Sequence, residues 1–120
     1  MRRRWIGTAL VAAVVAPLVA GGCAQKSMYS WGAYEDSLYV MWNRPGSFDL
    51  GDRMRMLTED VERDRAAGRT PPPGVQAHLG YLHLLAGDAA TARSWFGVEK
   101  ASYPESAAVM DRLMTQGAKP

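Results

Sequence analysis

The chain has 120 residues and a single cysteine, which is enough for one small domain and excludes an intramolecular disulfide or a cysteine-rich zinc site. The net charge of +2 comes from the N-terminus, since the chain after the cysteine holds 11 Lys and Arg against 12 Asp and Glu. The nearly balanced charge after the cysteine does not indicate nucleic-acid binding, and we expect no nucleic-acid partner.

The N-terminus has the pattern of a secretory leader. Met1–Arg4 is a short basic segment, and Ile6–Ala20 is an apolar run of the length of a signal-peptide core. The run ends in Ala20-Gly21-Gly22-Cys23, which resembles the lipobox of bacterial lipoprotein precursors, although the family usually has Leu three residues before the cysteine. The resemblance implies cleavage between Gly22 and Cys23 and a diacylglycerol thioether on Cys23.

Two other interpretations of the leader are a plain signal peptide and an uncleaved membrane anchor. Ile6–Gly22 is interrupted by Pro17 and lies at the short limit for a membrane-spanning helix, and a plain signal peptide needs no cysteine at its cleavage point. We therefore predict a leader over 1–22, a lipidated tether over 23–30 and a helical domain over 31–117. Ala24 is not the Asp that resembles an inner-membrane retention signal, which favours the outer membrane and its periplasmic face.

A short helix is predicted directly after the tether. Tyr34, Leu38 and Trp42 recur every four residues and indicate one face of that helix. Pro45 and Gly46 end it, because proline disfavours helix at the residue before it and glycine permits a turn.

A second helix is predicted after Asp49, which can serve as its N-cap. Gly68 suits its C-terminal cap, and the prolines at 71–73 prevent continuation. Its apolar face holds Leu50, Met54, Leu57 and Val61, and its opposite face, predicted to be solvated, holds Arg53, Arg55, Glu59, Asp60, Glu62, Arg63 and Asp64.

Residues 74–104 have the spacing of a tetratricopeptide repeat, a helix–turn–helix unit of 34 residues. Small Gly80 and Ala92 would let two antiparallel helices approach, Phe96 would fill the space around that contact, and Pro104 would end the second helix. Gly87-Asp88 predicts the turn between them. The Trp and Tyr usual in this repeat are replaced by Gln76 and His83.

Only one such repeat is recognisable, although about three are normally needed to bury the faces of the units. We expect flanking helices to supply the missing packing, and self-association is an alternative. The predicted fold is all-α, with short helices around one tetratricopeptide-like hairpin. The last helix would place these residues on an apolar stripe: Ala107, Met110, Leu113 and Met114.

Trp31, Tyr34, Tyr39 and Trp42 form an aromatic cluster within 12 residues, more than one short helix needs for packing. Amphipathic rings of this kind suit protein and membrane interfaces. The interpretation we favour is a hydrophobic lid over the helical repeat, because a single repeat needs cover. Contact with a partner protein, and then contact with the membrane, are the alternatives.

The sequence offers no candidate for a metal site, a cofactor or catalysis. His78 and His83, five residues apart, point about 140° away from each other on a helix. They cannot easily share a metal, and we expect one of them to pack against a neighbouring helix. The serines lie in no recognisable nucleophile motif, no phosphate-loop pattern occurs, and lipid on Cys23 would block its thiol. We predict that the protein is not an enzyme.

Short motifs are spread along the chain: Trp31-Gly32, Tyr34, Ser37-Leu38-Tyr39, Pro72, Gly74, His78-Leu79-Gly80, Pro104-Glu105-Ser106 and Met110-Asp111-Arg112-Leu113. Together they resemble a family of small Gram-negative lipoproteins known only as a domain of unknown function. The resemblance implies membership of a cell-envelope assembly, because genes of that family often lie beside two other lipoproteins, one similar to the curli-secretion-channel protein.

The function predicted from these observations is that of an adaptor at the outer membrane, anchored through lipid on Cys23 and holding other envelope lipoproteins. A helical repeat offers a groove into which a peptide or helix can settle. The alternative is a lipoprotein that self-assembles at the membrane as a homo-oligomer.

Overall fold

The computed structural model describes residues 27–116, and the regular structure within this range is helical, with no strand. The predicted all-α fold is confirmed. The predicted leader over 1–22 and Cys23, the predicted site of lipidation, lie outside this range. The five α-helices are α1 (Tyr34–Asn43), α2 (Leu50–Ala66), α3 (Val75–Leu85), α4 (Ala89–Ser102) and α5 (Ala107–Gln116), with 3-10 turns at Pro45–Ser47 and Pro104–Ser106.

Local signals in the sequence set the helix ends. The Asp49 carboxylate accepts a hydrogen bond from the Asp52 backbone N–H at 2.7 Å and caps α2. Asp88 does the same for α4 by accepting from the Thr91 N–H at 3.0 Å. Gly87, in the turn between α3 and α4, has a φ of 82°, a left-handed conformation that glycine adopts without a steric cost.

Helices α3 and α4 form the predicted hairpin. A Cβ on Gly80 would lie 2.5 Å from Phe96 Cε1 and 3.0 Å from the Ala92 carbonyl oxygen, so only glycine allows the helices to pack this closely. Leu79, Ala92 and Phe96 are fully buried. The spacing of small and large residues therefore predicted the contact correctly.

The flanking helices supply the packing that one repeat lacks. Leu57 and Val61 of α2 pack against Val75, Leu79 and Leu82 of α3 in one apolar cluster. A second cluster joins α5 to the hairpin through Ala92, Phe96 and Met110, with Leu113 and Met114 packed against it. The apolar faces predicted for α2 and α5 are both confirmed.

Helices α1 and α2 also run antiparallel. Arg53 near the start of α2 pairs with Asp36, while Asp60 further along α2 accepts a hydrogen bond from the Ala33 backbone N–H at 2.7 Å. The earlier residue of α2 contacts the later residue of the α1 region, and the later residue of α2 contacts the earlier one, so the two helices run in opposite directions. The molecule contains a second pair of helices that the 34-residue spacing did not reveal.

Two predictions about helix faces are wrong in part. The buried side of α1 runs through Ser37 and Val40, and Trp42 lies in solvent, because α2 and α3 contact that other side of the helix. On α2, Asp64 is buried and not solvated as predicted, since Arg69 of the following loop folds back to pair with it at 2.7 Å.

Candidate interaction surface

Two of the four predicted aromatic residues cover the start of α3. The Trp31 ring stacks on the Tyr34 ring, with 6.0 Å between their centroids, and Tyr34 meets the His78 ring edge-on at 5.6 Å. The Tyr34 hydroxyl lies against Gly74, where a Cβ would approach to 2.7 Å. Trp31 and Tyr34 therefore lie over the helical hairpin, at its open end.

A polar contact beneath these rings joins α1 to α3. Ser37 Oγ and His78 Nε2 share a hydrogen bond of 3.0 Å. Burial lowers the pKa of His78 from 6.5 to about 4, so the ring is neutral near pH 7. Ser37 has no exposed surface, and a substrate could not reach its hydroxyl without displacing α1. The pair holds two helices together.

Glu99 is a buried carboxylate for which the sequence predicted no role. Its two oxygens accept hydrogen bonds from the backbone N–H groups of Gly74 at 2.7 Å and Ala77 at 3.3 Å, which satisfies donors at the start of α3. Burial, and then the Glu99 charge, raise the pKa of Tyr34. The missed signal was periodicity, because Glu99 follows Ala92 and Phe96 on the buried stripe of α4.

Gln76, which replaces the Trp usual in the repeat, is also buried. Its side-chain oxygen accepts a hydrogen bond from Arg65 at 2.9 Å, and its amide nitrogen donates to Ser102 at 3.4 Å. The Arg65 guanidinium lies 5.6 Å from the centre of the Trp95 ring. A polar bridge between α2 and α4 thus occupies the place of a large apolar side chain.

The end of the tether contacts the same end of the domain. Tyr29 meets Trp31 edge-on at 5.8 Å and lies close enough to the Tyr103 side chain to raise its pKa. The Tyr103 hydroxyl donates to the Pro71 carbonyl oxygen at 2.6 Å, and burial, followed by the neighbouring Tyr29 side chain, raises the pKa of Tyr103. Residues 29–31 therefore lie on the domain, beside the loop that precedes α3.

The other two predicted aromatic residues lie in solvent. Trp42 is 77% exposed and Tyr39 is 53% exposed. The Arg44 guanidinium sits 5.8 Å from the centre of the Tyr39 ring. We refer to Tyr39 and Trp42 as the exposed aromatic pair. The structure thus separates the predicted cluster into two residues at the open end of the hairpin, where Tyr34 is partly buried and Trp31 is 36% exposed, and two residues that lie in solvent.

Helix α3 exposes two further large side chains. Tyr81 and Leu85 are each more than one-third exposed and follow His78 by three and seven residues. That spacing places them on the same side of α3 as His78, which contacts α1. Helices α1 and α3 both present apolar surface outside the core.

The two histidines lie in separate environments. His78 bonds to Ser37, whereas His83 Nδ1 lies 3.5 Å from Asp88 Oδ2. Over 27–116 the structure contains no group of three or more His, Cys, Asp or Glu residues arranged to hold a metal ion. The predicted lipidation and cleavage residues, Cys23 and Gly22, lie outside that range.

No helix within the described part of the chain is both long and apolar enough to span a membrane. In comparison with known proteins, a family model described as "Domain of unknown function (DUF4810)" matches residues 28–113. No curated protein and no solved structure matches the chain.

Proposed function

Since the chain belongs to the DUF4810 family, a domain of unknown function, we propose its role from its own sequence and surface. It is a lipoprotein of the outer membrane that faces the periplasm and acts as a non-catalytic adaptor or accessory subunit of a cell-envelope complex. The observation that carries this proposal is the exposed aromatic pair on a helix whose opposite side is packed.

The exposed aromatic pair has the composition of a binding surface. Trp, Tyr and Arg are the residues most enriched among those that dominate the energy of protein interfaces. Tyr39, Trp42 and Arg44 supply all three types within six residues, and the Arg44 guanidinium lies by the Tyr39 ring. A large ring held on a helix loses little conformational entropy on binding.

The lipid anchor is supported by the sequence. The apolar run, the small residues and the single Cys23 fit a lipobox, and several acyl chains on one cysteine hold a protein at a membrane more firmly than one chain. The family resemblance favours other envelope lipoproteins as partners. Metabolic labelling with a palmitate analogue is expected to label the wild type and not Cys23→Ala.

A non-catalytic role is supported by the polar groups in the interior. The Ser37–His78 pair is enclosed, and Glu99 has both carboxylate oxygens occupied by backbone N–H groups of α3. Each of these groups satisfies a structural need of the helices that surround it.

A second candidate function is self-assembly at the membrane. The observation that favours it is the exposure of Tyr81 and Leu85 on α3, the central helix of the fold. A helix that is apolar on most of its surface is normally covered on all sides, and a second copy of the chain would provide that cover.

The test is crosslinking in intact cells, followed by purification of the tagged protein and identification of what it carries. The wild type is compared with Cys23→Ala, with Trp42→Ala, and with Val109→Ala, which truncates an exposed apolar side chain of α5. The adaptor is supported if the wild type and Val109→Ala capture an envelope protein and if Trp42→Ala and Cys23→Ala do not. Capture of copies of the protein alone contradicts the adaptor and supports self-assembly.

A further inference from the structure

A shallow cleft of about 290 Å³ lies between the end of the tether and the loop after α2. Residues 27–30 line one side of it and Arg69 lines the other. Met28 is 82% exposed, and half of the Arg69 side chain is exposed. The cleft therefore presents a flexible apolar side chain, serine hydroxyls and a guanidinium group to solvent.

The length of the chain places this cleft close to the lipid anchor. The four residue steps from Cys23 to Ser27 can extend over at most about 14 Å. A diacylglycerol on the Cys23 thiol would lie in the membrane leaflet, which holds the sulfur at the level of the lipid headgroups. The cleft cannot move further from the membrane surface than this short segment allows.

Contacts of the tether give the domain a defined direction relative to the anchor. Tyr29 contacts Trp31, Trp31 stacks on Tyr34, and the Tyr34 hydroxyl lies against Gly74, so the chain enters the fold beside the start of α3. Helix α1 then runs parallel to α3, because Tyr34 meets Gly74 and Ser37 meets His78.

The exposed aromatic pair lies towards the other end of the domain. Trp42 follows Tyr34 by eight residues of helix, which is about 12 Å along the axis of α1. It is therefore displaced away from the place where the tether enters.

The Arg69 guanidinium lines the cleft and is held in place by Asp64. The buried Asp64 carboxylate accepts hydrogen bonds from Arg69 Nε at 3.0 Å and Nη2 at 2.7 Å, which orients the guanidinium plane. A guanidinium has five N–H donors, so the same group can also bind a phosphate oxygen.

We infer that the cleft is the surface on which the domain rests against lipid headgroups, with Arg69 bound to a lipid phosphate. Met28 enters the headgroup layer beside it, and the exposed aromatic pair is displayed on the side of the domain away from the bilayer. This inference rests on the lipid anchor of the proposed function.

Spin labels test the orientation in the lipidated protein. Because Cys23 is the sole cysteine and its thiol would carry lipid, Met28→Cys and Asn43→Cys each introduce one free thiol for a nitroxide. The labelled proteins are placed in vesicles of phosphatidylethanolamine and phosphatidylglycerol, and collision rates with an aqueous nickel chelate are measured. A rate severalfold lower at position 28 than at position 43 is the expected result.

Charge variants test the role of Arg69 in the same vesicles. Arg69→Gln is expected to raise the nickel collision rate at position 28, whereas Arg55→Gln, an exposed arginine nearer the start of α2, is expected to leave it unchanged. The comparison of positions 28 and 43 in the otherwise unaltered protein does not depend on whether Arg69→Gln folds.

The outcomes separate the inference from the anchor. The intact mass of the labelled protein shows whether acyl chains are attached. If they are, equal collision rates at the two positions, or a lower rate at position 43, overturn the headgroup contact. The lipid anchor then stands. An intact mass without acyl chains contradicts the anchor, and the inference fails with it.

Discussion

At the scale of single residues, the two glycines within the hairpin helices differ in what surrounds them. A Cβ on Gly80 would meet the Phe96 ring and the Ala92 carbonyl oxygen, whereas a Cβ on Gly97 would have no neighbour within 4 Å. Both sit within helices, where alanine is favoured over glycine by about 1 kcal/mol. The same substitution should therefore have opposite effects at the two positions.

We expect Gly80→Ala to lower the free energy of unfolding by about 1–3 kcal/mol, because Phe96 is fully buried and cannot move aside without repacking. Gly97→Ala is the matched control and should be neutral or stabilising by up to about 1 kcal/mol. Urea unfolding midpoints measure both. Equal midpoints for the two variants would show that the hairpin does not require the close approach.

His78 makes stability depend on pH. Its pKa is lowered to about 4 by burial, against 6.5 for a free histidine, so the unfolded chain takes up a proton at a higher pH than the folded protein. Stability should fall as the pH drops below about 6.5 and should stop falling below about 4. The direction follows because protonation favours the state with the higher pKa.

Between pH 7 and pH 5 this histidine should reduce the free energy of unfolding by about 2 kcal/mol. His78→Gln removes the titrating group, keeps a polar side chain near Ser37, and should abolish that part of the loss. His83→Gln, beside Asp88 at the end of α3, should retain it. Urea unfolding at pH 7 and pH 5 measures the decrease in the free energy of unfolding for each variant. An unchanged decrease in His78→Gln would be evidence against a buried neutral ring.

At the scale of helices, α1 has two sides with different roles. Tyr34 packs on His78 and Gly74, whereas Trp42 projects into solvent. Tyr34→Ala should destabilise the protein by about 3 kcal/mol, near the lower limit for truncating a large aromatic side chain, because Tyr34 is only partly buried. Trp42→Ala should change stability by less than about 0.5 kcal/mol. Thermal unfolding followed by circular dichroism compares them, and a large loss in Trp42→Ala would indicate a packing role for that ring.

The start of α3 depends on a side chain from another helix. Gly74 precedes α3 and has no side chain to act as a cap, so Glu99 of α4 accepts the N–H groups of Gly74 and Ala77 instead. A carboxylate at this position also interacts favourably with the positive end of the helix dipole.

Glu99→Gln should lower the free energy of unfolding by about 1–3 kcal/mol, since a neutral amide offers one acceptor in place of two. Amide hydrogen exchange should then show faster exchange at Gly74 and Ala77. Glu105→Gln, an exposed acid just before α5, is the control and should leave both amides protected. If exchange at these amides did not change, the capping contact would not be what protects them.

At the scale of the whole molecule, the helices on either side of the hairpin pack against its apolar core and leave Tyr81 and Leu85 of α3 exposed. The two apolar clusters bury α3 against α2 and α4 against α5. We expect residues 27–116, produced without the leader and Cys23, to sediment as a monomer over a wide concentration range, because the flanking helices supply the packing that a single repeat lacks. An oligomer that forms with rising concentration and is lost in a Tyr81→Ser, Leu85→Ser double variant would favour self-assembly instead.

Sequence alone determined the helical class, the caps at Asp49 and Asp88, and the contact between Gly80 and Phe96. These features depend on residues that are close in the chain or that follow the fixed spacing of a helical hairpin. The prediction that one of the two histidines packs against a neighbouring helix is likewise confirmed, by His78.

Only the tertiary structure decided which aromatic residues are covered and which acids are buried. Trp42 and Tyr34 share a helical pattern, yet Tyr34 lies against α3 and Trp42 lies in solvent, because the direction in which α1 packs depends on contacts with Asp60 and His78 far along the chain. Glu99 became a buried cap because the start of α3, which lacks a capping side chain, lies beside the end of α4. The physical reason is that burial is set by neighbours from other helices, whereas helix formation and capping are set by neighbours in sequence.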